Sequence, residues 1–252
     1  MNKVSFFTLL ICSLVFCGFT FSDGKNDNHL KRSKKVLIFS KTNGYRHESI
    51  EAGVAAIRKL GAENNFSVDA TEDSLFFTKA NLKKYKTVIF LSATGEVLGT
   101  EQQKVFQQYI QHGGGFVGVH AATDCGYTWP WYIGLVGASF ESHPEQQMAK
   151  LVVKDATHLS TKSLPLIWER KDEWYNFKNL NLNTKVLLAI DESSYKGGKN
   201  GENHPMAWYH IYDGGRSFYT ELGHTKESFE EPLFLNHLLG GIQYAMGDKP
   251  ML

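Results

Sequence analysis

The chain has 252 residues, 42% of them hydrophobic and 21% charged, which is enough apolar material for one sizeable core and excludes a disordered chain. A formal net charge of +1 gives no electrostatic case for nucleic acid or an anionic membrane as partner. The unusual counts are 10 His and a 13% aromatic content, with all five Trp falling between Trp129 and Trp208.

At the N-terminus Lys3 precedes an apolar run from Val4 to Phe21, and Thr20 and Ser22 are small enough for a cleavage site before Asp23. Residues 1–22 therefore read as a signal peptide, 23–34 as a polar, basic tether, and 35–248 as one domain. The expectation is an exported protein of the periplasm or cell surface, or one that is secreted, with no membrane span after cleavage. An uncleaved anchor and a lipoprotein modified at Cys17 are the competing readings; Phe16 is bulky where a lipoprotein signal wants a small residue. Cleavage removes Cys12 and Cys17 and leaves Cys125 alone, so the mature chain forms no internal disulfide.

Lys35 to Ser40 is a short apolar run that reads as a buried first strand. Ser49 is the predicted N-cap of a helix carrying Ile50, Val54, Ile57 and Leu60 on one face, with Gly61 as its end. Phe66 to Ala70 and Thr87 to Ser92 are the next strands. Thr100 to Gln103 has the form of a capping box before a stripe of Val105, Phe106, Tyr109 and Ile110. Gly113 to Gly115 breaks that helix, and Phe116 to His120 is the fourth strand. Strand, helix and strand alternating at this spacing predict a parallel sheet flanked by helices. Leu151 to Val153 and Val186 to Ile190 are further strand candidates. Met206 to Tyr212 and Arg216 to Leu222 form a hairpin across Asp213-Gly214, and Pro232 to Met246 is a closing helix.

In an open α/β sheet ligands bind beyond the carboxyl ends of the strands. The first strand runs into Thr42 to His47, the fourth into His120 to Asp124, and the hairpin into Glu221 to His224. One histidine at a strand end is usually a structural hydrogen-bonding group; three predicted to share one crevice point to a site. Gly44-Tyr-Arg-His47, Gly118-Val-His120 with Asp124, Ser142-His-Pro144, Asp172-Glu-Trp-Tyr175, Pro205-Met-Ala-Trp208, Gly214-Gly-Arg216 and Leu222-Gly-His224 occur in this order. Together they resemble the ThuA-like (trehalose utilisation) family over Lys35 to about Gly247. Trp174 and Ala138 depart from that pattern, which usually has an aliphatic residue and a glycine there. The resemblance implies a flavodoxin-like sheet similar to that of class I glutamine amidotransferases, with a β-hairpin-rich second half.

A glutaminase needs a cysteine on the tight turn after the fourth strand to form its thioester. Here His120 stands at that position, which excludes glutaminase chemistry. His120 and His224 are instead the expected proton-transfer pair, with Glu173 or Asp124 orienting one of them. His47, Arg46 and His143 are expected to bind substrate. Trp129, Trp131, Tyr175 and Trp208 are candidates to stack on the faces of a sugar, Trp129-Pro-Trp131 being the better surface segment and Trp208 competing with a place in the core. His120, His143 and His224 are also of the type that binds a divalent metal, although no metal motif at fixed local spacing occurs and no cofactor follows from sequence alone. The resulting expectation is an enzyme of carbohydrate metabolism performing isomerisation, elimination or hydrolysis on glycosides or keto-sugar derivatives, with a small carbohydrate ligand. The alternative is a non-catalytic carbohydrate-binding or accessory protein. Nothing in the sequence sets an oligomeric state.

Overall fold

The computed structural model describes residues 34–248 and Met1. The expected leader apart from Met1, and all but the last residue of the expected tether, lie outside the described residues, and no helix among those described is long and apolar enough to cross a membrane. In chain order the elements are β1 (Lys34–Phe39), α1 (Ile50–Glu63), β2 (Phe66–Thr71), α2 (Lys79–Leu82), β3 (Thr87–Leu91), α3 (Thr100–Gln111) and β4 (Gly115–Val119). Then come α4 (Pro130–Val136), β5 (Ser139–Ser142), β6 (Gln147–Val153), β7 (Ile167–Asp172), β8 (Asn176–Lys178) and β9 (Lys185–Ile190). β10 (Pro205–Tyr212), β11 (Gly215–Thr220) and α5 (Pro232–Ala245) follow.

Nine strands form one sheet in the order β2-β1-β3-β4-β11-β10-β9-β6-β7, and β5 pairs with β8 apart from it. β2, β1, β3, β4 and β11 run parallel. Beyond β11 every pairing is antiparallel, so the fold is α/β with a mixed sheet. The change follows from the connections: helical crossovers return the early strands in parallel, whereas a tight turn can join only antiparallel neighbours. β10 and β11 are joined across Asp213 and Gly214, whose φ values of 47° and 93° are those a two-residue hairpin turn of this hand requires.

The centre of the sheet is the part whose sequence is apolar without interruption. β3 and β4 are buried along their whole length, as is β1 from Val36 to Phe39, because helices cover both faces. At the far edge β7 alternates, with Ile167, Glu169 and Lys171 outward and Trp168, Arg170 and Asp172 buried. Two of its inward residues are charged, which hides the alternation from a hydrophobic reading.

Three helix-end expectations are corrected. Ser49 precedes α1, but its backbone is already helical and its Oγ donates to Gly223 O at 3.0 Å instead of capping the helix. Gly61 lies within α1, where a Cβ would come 2.6 Å from Phe66 O; the helix runs on to Glu63 and the chain turns at Asn65, with φ 60°. Gly99, not Thr100, is the N-cap of α3, and Gln103 Nε2 reaches Leu98 O at 3.1 Å, so no capping box forms.

Two histidines away from the strand ends are buried structural groups. His237 bridges Ser160 O and Thr220 Oγ1 at 3.0 Å each, and His158 sits 2.8 Å from Ser160 Oγ. Burial lowers His158 from 6.5 to about 4 and His237 to about 3. The unfolded chain therefore takes up these protons at higher pH than the folded one, so the stability is fully present above pH 6.5 and is lost as pH falls towards 4 and 3. For His158 the loss at pH 5 is roughly 2 kcal/mol. Urea melts of the wild type and His158→Gln at pH 7.5 and 5 check this: the acid-induced loss is expected to be smaller in the variant by about that amount, and equal losses would contradict it.

Candidate metal and active site

His120 follows β4 at φ 49°, a left-handed conformation that costs a non-glycine residue of order 1–3 kcal/mol unless its surroundings hold it. They do. Tyr219 Oη donates to His120 O at 2.8 Å, and Tyr132 Oη donates to Ala122 O at 2.8 Å, fixing the turn from two sides. Gly118 makes room beneath it, since a Cβ there would lie 2.9 Å from the Tyr219 ring and 3.1 Å from Ala122. The imidazole is fully buried, deeper than its place at a strand end implies. Its Nδ1–H donates to Glu221 O at 2.7 Å, which fixes the tautomer and leaves the Nε2 lone pair facing inward.

Three other loops meet this nitrogen. His224, from the segment after β11, places Nδ1 3.1 Å from His120 Nε2. Glu173, just past β7, places Oε2 3.4 Å from His120 Nε2 and 3.2 Å from His224 Nδ1. His47, between β1 and α1, stands edge-on to both imidazoles, its ring centroid 4.7 Å from His120 and 5.2 Å from His224. His47, His120, Glu173 and His224 each offer one ligating atom, and all four atoms lie within 4.8 Å of one another.

One buried carboxylate ties two of these loops together. Asp172 Oδ1 accepts from Glu173 N at 3.0 Å, and its Oδ2 accepts from Gly223 N at 3.3 Å, one residue before His224. Gly223 O in turn accepts from Ser49 Oγ, two residues after His47. Arg170 Nη2 balances the Asp172 charge at 3.1 Å. Behind His120, Glu221 is fully buried; its Oε1 accepts from Tyr175 N at 3.2 Å. Burial, with Asp172 and Glu173 nearby, pushes the Glu221 carboxyl well above the usual range.

Electrostatics separate the roles. Burial, then the neighbouring His120 and His224, lower His47 to about 2, so it is neutral, and its buried Nδ1 has no hydrogen-bond partner. Burial pulls the Glu173 carboxyl upward, but the neighbouring His120 and His224 outweigh it and hold it below the ordinary value. His224 is pulled down by burial and raised further by its bond to Glu173 and by that carboxylate's charge. Three imidazoles and one carboxylate facing a common point are a donor set for a first-row divalent cation. Ligands on a tetrahedral cation lie about 3.4 Å apart; the three measured edges are 3.1, 3.2 and 3.4 Å. These edges, with a ligating atom of His47 within 4.8 Å of the other three, fit the cation.

The other sequence candidates divide. His143 lies at the rim, 43% exposed, with Nδ1 3.2 Å from Glu173 Oε1; it is outside the four-ligand set, in which His47 takes the place expected for it. Asp124 bonds no histidine. Its Oδ1 accepts from Tyr127 Oη at 2.6 Å, and burial raises its carboxyl above the ordinary value, so Glu173 is the carboxylate that meets the imidazoles. Tyr175 is buried against His120, at 4.5 Å between centroids, a backing wall that an incoming ligand does not reach.

Arg46 is corrected: its guanidinium is held by Glu51 and Glu72 at 2.7 and 2.9 Å, at the β2 edge. The tryptophans are corrected as well. Pro130 opens α4, so Trp129 and Trp131 stack on each other at 5.2 Å and pack against Phe106 of α3 instead of offering free faces to a sugar. Trp131 Nε1 donates to Asp213 Oδ2 in the hairpin turn, level with the start of β4 and so at the opposite end of the sheet from His120. Trp208 is core: its Nε1 donates to Val136 O and its ring lies 4.3 Å from Tyr219. Cys125 is buried, and burial pushes its thiol up, away from nucleophilic use.

The family profile described as ThuA, trehalose utilisation, matches residues 35–245. A ThuA-like protein from Bacteroides uniformis is similar in structure at TM-score 0.72 and 24% identity, over 84% of this chain and 91% of that one. One from Parabacteroides merdae gives 0.71 and 22%, over 87% and 91%. A β-galactosidase from Bacillus circulans shares the fold at TM-score 0.55 and 12% identity, over 86% of this chain but 31% of that one. A comparison with curated proteins finds no match.

Proposed function

Because this chain belongs to the ThuA (trehalose utilisation) family, we propose that it is a carbohydrate-active enzyme using a divalent cation held by His47, His120, Glu173 and His224. The observation that carries the reading is the convergence of one ligating atom from each of three imidazoles and a carboxylate within 4.8 Å of one another. The substrate class is glycosides or their keto derivatives, and the reaction is an isomerisation, elimination or hydrolysis driven by proton transfer. The family supports a sugar-related role, and the donor set supports the choice of chemistry.

A bound divalent cation supplies Lewis acidity, lowering the cost of negative charge on a sugar hydroxyl or carbonyl oxygen. The chain's own residues do the rest. Glu221 O accepts from His120 Nδ1–H and so turns that ring's Nε2 lone pair to the centre, and the Gln146 amide, 2.9 Å from His224 Nε2, orients the second ring. An imidazole nitrogen that lends its lone pair cannot also take up a proton. Proton transfer therefore moves from the His120–His224 pair to groups beside it, Asp124 and His143, both on the solvent side. Asp124 is suited to this because burial raises its carboxyl and Tyr127 holds Oδ1, leaving Oδ2 for the substrate. Export to the periplasm or cell surface belongs to the same proposal and rests on the leader alone.

Turnover of glycosides and keto sugars is to be compared in chelated and cation-reconstituted protein. The reading expects turnover on reconstitution only. Full turnover after chelation would return proton transfer to His120 and His224, and sugar binding without turnover would make this an accessory protein.

A further inference from the structure

The tryptophans expected to stack on a sugar lie elsewhere, so the site needs another apolar surface. Of the described Phe, Tyr and Trp side chains, two are exposed: Tyr45 at 64% and Tyr127 at 38%. Both stand on strand-end loops beside the histidines. Tyr45 precedes His47 by two residues and meets its ring edge-on at 4.9 Å. Tyr127 follows Asp124 by three and donates its hydroxyl to it. Two exposed rings on neighbouring loops beside one buried polar centre offer an apolar surface next to polar groups, the composition of a recognition site.

Both rings are carried on prepared backbone. Asn43 N donates to Thr94 O at 2.8 Å, and Thr94 Oγ1 donates to Tyr45 O at 2.9 Å. On the other side Gly95 N donates to Asp124 O at 2.8 Å, and Gly126 N donates back to Gly95 O at 3.1 Å. Thr94 and Gly95, past the end of β3, thus lace the two tyrosine loops into an extension of the parallel sheet. A Cβ on Gly95 would sit 3.3 Å from the Asn43 backbone at φ +76°, so this close lacing depends on glycine. Lys178 Nζ covers one side of the Tyr127 ring at 5.5 Å from its centroid.

We propose that Tyr45 and Tyr127 form the stacking platform of a pyranose subsite in front of the histidine centre, with Asp124 placed to take a ring hydroxyl. The C–H faces of a pyranose suit the flat rings, while its hydroxyls suit Asp124 and His143 at the rim. This rests on the carbohydrate reading above and names what that site recognises: a neutral hexose ring.

The test is calorimetric binding of trehalose, maltose and a methyl glucoside oxidised to its 3-keto form, each to cation-reconstituted protein. Tyr45→Ala and Tyr127→Ala are expected to weaken binding of the sugar that the wild type takes by tenfold or more, with cation content unchanged. Tyr127→Phe keeps the ring, loses the Asp124 contact, and is expected to fall between. Trp131→Phe, at the far end of the sheet, is expected to bind as the wild type does. Wild-type affinity in both alanine variants would overturn the platform and leave the carbohydrate reading standing. No binding of any probe by the wild type would remove that reading, and the platform with it.

Discussion

His120→Asn is expected to lower cation affinity by at least about 100-fold and to abolish turnover, while the protein still melts cooperatively. The substitution removes the one ligand whose Nε2 lies close to both His224 Nδ1 and Glu173 Oε2, at 3.1 and 3.4 Å. It spares the backbone, because Asn tolerates the left-handed conformation that His120 adopts at φ 49°. The shorter side chain leaves part of a buried space unfilled and loses the bond to Glu221 O, which together cost about 1–3 kcal/mol. Calorimetric titration with Zn2+ and Mn2+ beside a thermal melt reads both effects. Unchanged cation affinity would remove His120 from the centre. A collapsed melt would make His120 a structural residue.

Asp172→Leu is expected to cost about 3–5 kcal/mol of stability, the largest effect of any substitution around the site. It leaves the buried Arg170 guanidinium, 3.1 Å from the lost carboxylate, without its buried charged partner; the part-exposed Glu231 at 3.3 Å and the Ser228 hydroxyl at 2.8 Å remain. It also frees Glu173 N and Gly223 N, the backbone donors that Asp172 holds on two ligand loops. The double variant Arg170→Met, Asp172→Leu separates these effects. Removing both charges should recover most of the stability, but cation affinity should stay low, because nothing then holds the Glu173 and His224 loops in register. Recovery of affinity along with stability would show that Asp172 serves the fold alone.

The parallel half of the fold was legible because β1, β3 and β4 are buried on both faces and therefore apolar throughout. β7 was not, since Arg170 and Asp172 point inward and interrupt its alternation. β5 and β8, at four and three residues, are too short to carry a period. Within the site, His47, His120 and His224 were legible from topology, because strand ends of a parallel sheet share one edge. Glu173 depended on its family motif. Asp172, in the same motif, and Glu221, at the end of the hairpin, carry no sign of their supporting roles: the bonds to Gly223 N and Tyr175 N join residues 51 and 46 apart, and only the fold brings these within reach. The tryptophans misled because composition counts aromatic rings without saying which face they cover. Pro130 was the missed cue, since a proline after Trp129 can open a helix, and α4 then folds both rings onto α3.

The account stands on a cation at the histidine centre. Elemental analysis by mass spectrometry of the full chain, purified without chelator and reconstituted with Zn2+ or Mn2+, reads this directly. The expected result is one divalent ion per chain, lost in His120→Asn and in Glu173→Gln. Wild-type protein that retains no divalent ion after reconstitution and desalting would contradict it.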